Sequence, residues 1–290
     1  MSDIIIIGGG PAGLAAAHYA KKNNINFSLY ESSNRFGGNC ITINVGDFYF
    51  DSGAHRLHDV DSDTTQIFKN ILKDDLRKID IGSQIFSNDK FIDFPISPLN
   101  LFKFLGFRSF SYEGFKILFR MLFKKPKKND FKSLITYKYG NKISNLFLIN
   151  YSEKLWGISA DKLSQKISGK RLKGLDIKTF LIELVFGKSK KTKHLDGSFY
   201  YPKEGIGSLF EELAKQIGTE KLCLSKKVTQ INHSKNKINS IEINNKENIL
   251  VEELVSSIPL NVFISKMNPP APKEIRSIVS KIKFRNVILI

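Results

Sequence analysis

Four consecutive isoleucines, Ile4–Ile7, run straight into Gly8-Gly9-Gly10-Pro11-Ala12-Gly13, and no other stretch of the sequence restricts the fold so tightly. A short β-branched run suits a strand buried on both faces. The alanine-rich stretch from Ala12 to Lys22 is helical in character, and Phe27 to Tyr30 reads as a second strand ending at Glu31. Strand, helix and strand within about 30 residues make a βαβ unit, which implies a doubly wound parallel sheet. Gly8, Gly10 and Gly13 fill the three positions of G-x-G-x-x-G. The first permits the tight turn, the second lets a pyrophosphate approach the main chain, and the third lets the helix pack on the sheet. Pro11 and Ala12 open that helix, whose N-terminal N–H groups and dipole attract phosphate. Glu31 stands 18 residues beyond Gly13. A carboxylate at that position accepts hydrogen bonds from ribose hydroxyls and repels a 2′-phosphate. These residues expect a dinucleotide.

The next stretch selects among dinucleotides. Ser32 follows Glu31, and then comes Arg35-Phe36-Gly37-Gly38-Asn39-Cys40-Ile41-Thr42. It resembles the extended fingerprint of the glutathione-reductase-like flavoproteins, in which an acid is followed by R-x-G-G-R-x-x-T. That resemblance implies FAD, with Arg35 near the pyrophosphate and Gly37 and Gly38 letting the chain pass close to the cofactor. Asn39 replaces the usual second arginine. Phe50-Asp51-Ser52-Gly53-Ala54-His55-Arg56 resembles the F-D-x-G-G-H-R segment of the superfamily of amine oxidases, protoporphyrinogen oxidases and UDP-galactopyranose mutases. There Gly53 and Ala54 bring main chain near the isoalloxazine ring. His55 either lies over the flavin or is a buried histidine satisfied by backbone. Val228, in the returning segment, completes the expected cofactor contacts.

Further segments resemble the same superfamily, in the bacterial branch linked to surface-polysaccharide genes. They begin at Phe94 (F-P-I-S-P-L), Tyr151 (Y-S-E-K-L-W-G), Arg171 (R-L-K-G-L) and Phe199 (F-Y-Y-P-K, with Gly205 and Gly207). The resemblance spans nearly the whole chain and implies Tyr151, Trp156, Arg171 and Tyr201 as substrate-side candidates. Trp156 stacks on a planar substrate or fills the core, the core being the commoner place for an indole. Arg171 and Lys173 bind an anion such as a diphosphate or form a solvated helix face. The superfamily continues into a C-terminal G-D segment that the sequence does not show, so a shortened or partial chain is expected.

The fold class is therefore α/β, a Rossmann-like FAD-binding domain (residues 1–78 and 199–290) with an inserted substrate domain, 79–198, of helices and mixed sheet. A small antiparallel sheet is expected over 79–95, helices from Leu99 to about Phe186, and a basic linker at 188–193. After a helix over 208–217, strands are expected over 222–231 and 238–243 and, buried, over 254–258.

Composition removes other classes. The net charge of +17 is largely lysine scattered among Asn and Ile, which reads as solvated faces, and nucleic acid is not expected. Cys40 and Cys223 are too far apart for a metal or disulfide framework, and the five histidines are dispersed. No signal peptide or 18-residue apolar run is present, so a cytoplasmic protein is expected. Residues 101–128 stand out, with seven phenylalanines and eight Lys/Arg against one Glu. They form a cap with a buried Phe stripe or, less favoured, a basic helix in weak peripheral contact with membrane. No HExxH, CxxC or G-x-S-x-G occurs. The leading expectation is an FAD-dependent oxidoreductase taking a hydride from a small molecule. The rivals are a mutase on a nucleotide sugar and a non-catalytic remnant.

Overall fold

The computed structural model describes residues 3–87, 89–94, 98–123, 128–168, 198–282 and 284. The chain divides into two compact units, Met1–Lys78 with Phe199–Ile290, and Ile79–Ser198. The first unit opens with β1 (Ile4–Ile7), α1 (Pro11–Lys22), β2 (Phe27–Tyr30), the hairpin β3 (Thr42–Val45) and β4 (Phe48–Asp51), and α2 (Ser62–Leu72). The chain passes into the second unit along β5 (Leu76–Asp80). There it forms β6 (Ser83–Ser87), β7 (Lys90–Phe94), α3 (Pro98–Phe123), α4 (Phe131–Ile143) and α5 (Asn150–Trp156). It returns with β8 (Ser198–Pro202), α6 (Ile206–Ile217), β9 (Leu222–Cys223), β10 (Val228–Ser234), β11 (Lys237–Ile243), β12 (Glu247–Leu250) and β13 (Glu253–Ser256). Short α7 (Leu260–Ser265), β14 (Met267–Asn268) and α8 (Lys273–Val279) follow.

The order β13-β1-β2-β9 makes a parallel sheet with β1 inside it. Side-chain alternation along β1 divides two cores. Ile6 joins Leu14 and Ala17 of α1, Leu29 of β2, and Leu209 and Leu213 of α6. Ile5 and Ile7 point the other way, onto Val228, Ile231, Ile241 and Ile243. The latter belong to a second sheet, β12-β11-β10-β14, antiparallel but for its last pair. The parallel sheet is thus layered between helices and a second sheet, and each fully buried Ile or Leu contributes about 1.5–3 kcal/mol. In α1, Pro11 opens the helix and Lys21 and Lys22 sit at its negative end, while Asn23 closes it.

Two expected strands are corrected. Residues 222–231 do not form one strand. Ser225 takes φ 55° and breaks the run, sending β9 to β2 and β10 to β11. The last strand starts one residue earlier, as β13, and is not buried, because it lies at the sheet edge with Val255 38% exposed.

The second unit is a β6–β7 hairpin and bent helices. Glycines bend α3 at Gly106 (φ 74°) and α4 at Gly140 (φ 78°). A π-helical turn, Ser144–Ile149, joins α4 to α5, which ends at Gly157 in the left-handed region. Phe131, Ile135, Ile149 and Leu163 fill one core. The buried Phe stripe fails in part. Phe107 and Phe115 are 72% and 70% exposed, because α3 is apolar around most of its girth and buries only one side. Among the described residues, no helix is long and apolar enough to cross a membrane.

Candidate functional site

At the end of β1, Gly8 N–H donates to the Tyr30 carbonyl at 2.9 Å, which fixes the start of the turn. Gly9 N–H donates to Glu31 Oε2 at 2.6 Å. Glu31 Oε1 accepts from Ser33 N at 2.7 Å, Ser33 Oγ at 2.8 Å and Ser32 Oγ at 3.1 Å. Burial alone would push this carboxyl up. The N–H groups of Ser33 and Gly9, with the two serine hydroxyls, outweigh it and hold the group below the ordinary glutamate range. Glu31 is therefore an anion at neutral pH, with one of its oxygens engaged by a single donor.

The second glycine turn closes on the first. Gly37 N–H donates to the Gly9 carbonyl at 2.9 Å, and a Cβ built on Gly38 (φ 56°) would stand 3.0 Å from Gly10 Cα. Arg35 is exposed and turns its guanidinium to the Gly38 carbonyl at 3.0 Å. Asn39 is exposed, its carbonyl accepting from Ser52 Oγ. Both turns meet at the start of α1, where Pro11 and Ala12 are exposed. No side chain caps that N-terminus and no acid sits in its first turn, so its positive end is left for an anionic ligand.

The glycines of the first turn differ in why they are glycine. A Cβ on Gly13 would collide with the Gly8 carbonyl, and one on Gly8 with Ser257 Oγ. One on Gly9 would crowd Glu31 Cβ and Phe36 Cδ1 at 3.0 Å. Packing within the protein explains all three. Gly10 is different, because its Cβ would meet nothing nearer than Gly38 Cα at 3.7 Å, and its φ of −74° suits any residue. The fold leaves space at Gly10 that the protein itself does not fill. That space, an uncapped helix start and an anionic Glu31 fit the ADP half of a dinucleotide.

Val228 stands two residues after Lys226, whose N–H donates to the Glu31 carbonyl at 2.8 Å. Its side chain is buried in the core with Ile5 and Ile7, so its main chain is what it can offer a ligand. Gly53 and His55 form a tight turn, with His55 N–H donating to the Gly53 carbonyl at 2.9 Å, and Ala54 is exposed. The histidine ring is not satisfied by backbone. Nδ1 lies 3.9 Å from Cys40 Sγ, and Nε2 is buried with no partner. Burial, and then the Asp51 charge, push the Cys40 thiol up.

A hydrogen-bonded clamp was not foreseen. Asp51 Oδ1 accepts from Thr42 Oγ1 at 2.6 Å and from Ile206 N, at the start of α6, at 3.0 Å. Asp51 Oδ2 accepts from the Tyr201 hydroxyl at 2.7 Å, and Thr42 Oγ1 accepts from Gly207 N at 2.9 Å. Burial, then Asp51, push the Tyr201 hydroxyl well above the ordinary tyrosine range. Tyr201, a substrate-side candidate, thus commits its hydroxyl to the scaffold. The motif beginning at Phe199 needs its glycines for the same clamp, since a side chain at Gly205 would strike Thr42.

In the second unit, Tyr151 and Trp156 are 61% and 52% exposed, which corrects the expectation that Trp156 fills the core. They lie on α5, too short to bury more than a narrow side. Arg171 and Lys173 lie outside the described residues, as do Pro95 to Ser97 and the linker at 188–193. Among the described residues no group of three or more His, Cys, Asp or Glu is placed to hold a metal.

Glu31→Ala strands the buried Gly9 N–H and removes the carboxylate expected to accept from ribose hydroxyls. FAD binding is expected to weaken about 10- to 100-fold, the equivalent of roughly 1.5–3 kcal/mol for a charged hydrogen bond. Calorimetric titration measures it. Because the folded-state pKa of Glu31 is depressed, its contribution to stability is full above the ordinary glutamate value of about 4.5. That contribution fades as pH falls through the lower folded-state value, and Glu31→Gln should flatten this part of an acid-denaturation curve.

Comparison with known proteins gives a family and a fold. The profile of the flavin-containing amine oxidoreductases matches residues 11–290. A 1-hydroxycarotenoid 3,4-desaturase of Flavobacterium sp. (strain P99-3) is 28% identical over an alignment covering 83% of this chain and 53% of the desaturase. A crystal structure of reduced UDP-galactopyranose mutase superposes with a TM-score of 0.81 at 18% identity, covering 97% of this chain and 61% of that one. Cyclohexylamine oxidase from Brevibacterium oxydans IH-35A superposes at 0.64 and 14% identity, covering 96% and 63%. The structural likenesses establish the fold. The chain spans about half the length of the desaturase and about three fifths of each enzyme structure.

Proposed function

Since this chain belongs to the family of flavin-containing amine oxidoreductases, we propose that its first unit holds FAD by the ADP half and that the protein is an FAD-dependent oxidoreductase acting on a small molecule. The observation that carries the reading is the space at Gly10, bounded by Gly38 and the uncapped start of α1. The α1 N-terminus binds the pyrophosphate, assisted by Arg35, and Glu31 accepts from the ribose hydroxyls. Ser32 and Ser33 keep the Glu31 carboxylate oriented through their hydroxyls. Main chain at Gly37, Gly38, Asn39 and Val228 lines the remainder of the nucleotide.

When bound, the flavin supplies a hydride acceptor for a substrate C–H bond. Gly53, Ala54 and His55 are the residues assigned to the ring side, where the exposed Ala54 offers main chain to the ring. Asp51 fixes the start of that segment against α6. The protein's part is to position cofactor and substrate and exclude water, which needs no protein nucleophile.

A mutase working on a nucleotide sugar without net redox change is the second reading. The exposed rings of Tyr151 and Trp156 favour keeping it, because planar bases stack on such rings. Anaerobic mixing separates the two. An oxidoreductase bleaches its flavin absorbance with an amine or other reduced substrate. A mutase leaves it unchanged and converts a UDP-sugar only after the flavin has been reduced with dithionite. NADP is expected to bind far more weakly than FAD, because Glu31 faces its 2′-phosphate. Tight NADP binding in a calorimetric titration beside FAD would overturn the placement of Glu31.

A further inference from the structure

We propose that the outward face of α3 docks on an anionic bilayer, its aromatic rings entering the headgroup layer and its cations resting on lipid phosphates. The exposed rings are Phe107 (72%), Tyr112 (59%), Phe115 (70%) and Phe119 (51%). Tyr112, Phe115, Lys116 and Phe119 repeat at i, i+3, i+4 and i+7, so they share one side of the helix. Lys103, Arg108 and Lys116 are exposed as well. The single acid between residues 101 and 128, Glu113, is only 7% exposed and turned inward. The described outer face therefore carries cations and rings with no anion among them.

Local geometry supports a lipid occupant. Phe115 and Phe119 border a shallow cleft of about 330 Å³ with the exposed Lys116 beside them, while Arg120, which also lines it, gives its guanidinium to the Thr136 carbonyl. Lys116 Nζ lies 4.0 Å from the centre of the Tyr112 ring. Rings beside cations are the chemistry of an anionic interface, where apolar groups insert and Lys or Arg pairs with headgroups. A second copy of this chain is a poor partner, because cations would face cations. The helix lies on the surface and does not cross, since no described helix has the length and apolarity to span a bilayer. The bend at Gly106 separates Lys103 from the main stripe, so docking is shallow and reversible.

The test is flotation of the whole protein with vesicles of phosphatidylcholine alone or mixed with phosphatidylglycerol, at low and physiological salt. Flotation is expected only with phosphatidylglycerol and should weaken with salt, because charge beyond about 8–10 Å is screened. Lys116→Gln should reduce it roughly fivefold, the worth of one cation at such a surface. Phe115→Ser with Phe119→Ser should reduce it further. Lys246→Gln, an exposed lysine of the first unit, should match wild type. Melting curves confirm that each variant is folded, and all changed side chains are exposed. No flotation on anionic vesicles, equal flotation on neutral ones, no effect of Lys116→Gln, or an equal loss in Lys246→Gln would each overturn the proposal. In the last case the whole positive surface, and not α3, would be responsible.

Discussion

Gly10→Val should cost at least a hundredfold in FAD affinity while leaving the protein folded. The valine Cβ meets only ordinary contacts inside the protein, with Gly38 Cα at 3.7 Å, and the φ of −74° is compatible with a side chain. Its methyl groups then occupy the space before the α1 N-terminus and displace the pyrophosphate. Losing two charge-assisted hydrogen bonds at roughly 1.5–3 kcal/mol each gives that size of effect. Replacing glycine at the N-cap costs about 1 kcal/mol, or a few degrees of melting temperature. Gly10→Ala should lose less affinity than valine. Gly13→Ala provides the contrast, because its Cβ collides with the Gly8 carbonyl and the fold itself must shift. FAD titration and thermal melting of the three variants separate ligand space from packing space. Equal affinity in Gly10→Val and wild type would mean that the phosphates sit elsewhere.

Asp51→Ala should destabilise the first unit by about 3–5 kcal/mol, whether or not cofactor is present. One half-buried carboxylate satisfies Thr42, Tyr201 and the start of α6. Without it three donors lose their acceptor, and an unpaired, partly buried donor costs about 1–3 kcal/mol. The negative charge also leaves the positive end of α6, the helix that brings Leu209 and Leu213 into the core. Asp51→Asn keeps one acceptor oxygen and should lose less. Urea denaturation reads the difference. A loss below about 1 kcal/mol would show that water replaces the clamp.

The βαβ unit was legible because its signals are local. An isoleucine run, a glycine turn and an alanine-rich helix fall within 30 residues, and each dictates its own geometry. The Asp51 clamp was not legible, because its partners lie 150 and 155 residues away in sequence. The motifs around Asp51 and Tyr201 could be recognised separately, but nothing in spacing says that they share a hydrogen bond. Residues 222–231 misled for another reason. The run is apolar enough for one strand, and only the backbone at Ser225 reveals that it serves two sheets. For α3 and Trp156 the difficulty is directional. A segment apolar on most sides does not say which side is covered, and Phe115 and Trp156 both lie on the uncovered one.

The most direct test of the central claim is competition for the site in cofactor-free protein. If the first unit holds the ADP half of FAD, one FAD binds per chain, ADP displaces it, and FMN, which lacks that half, does not compete. Calorimetric titration with the three ligands reads all of this at once. FMN binding as well as FAD, or ADP failing to displace FAD, would contradict the assignment of Gly10, Glu31 and the α1 N-terminus to the nucleotide.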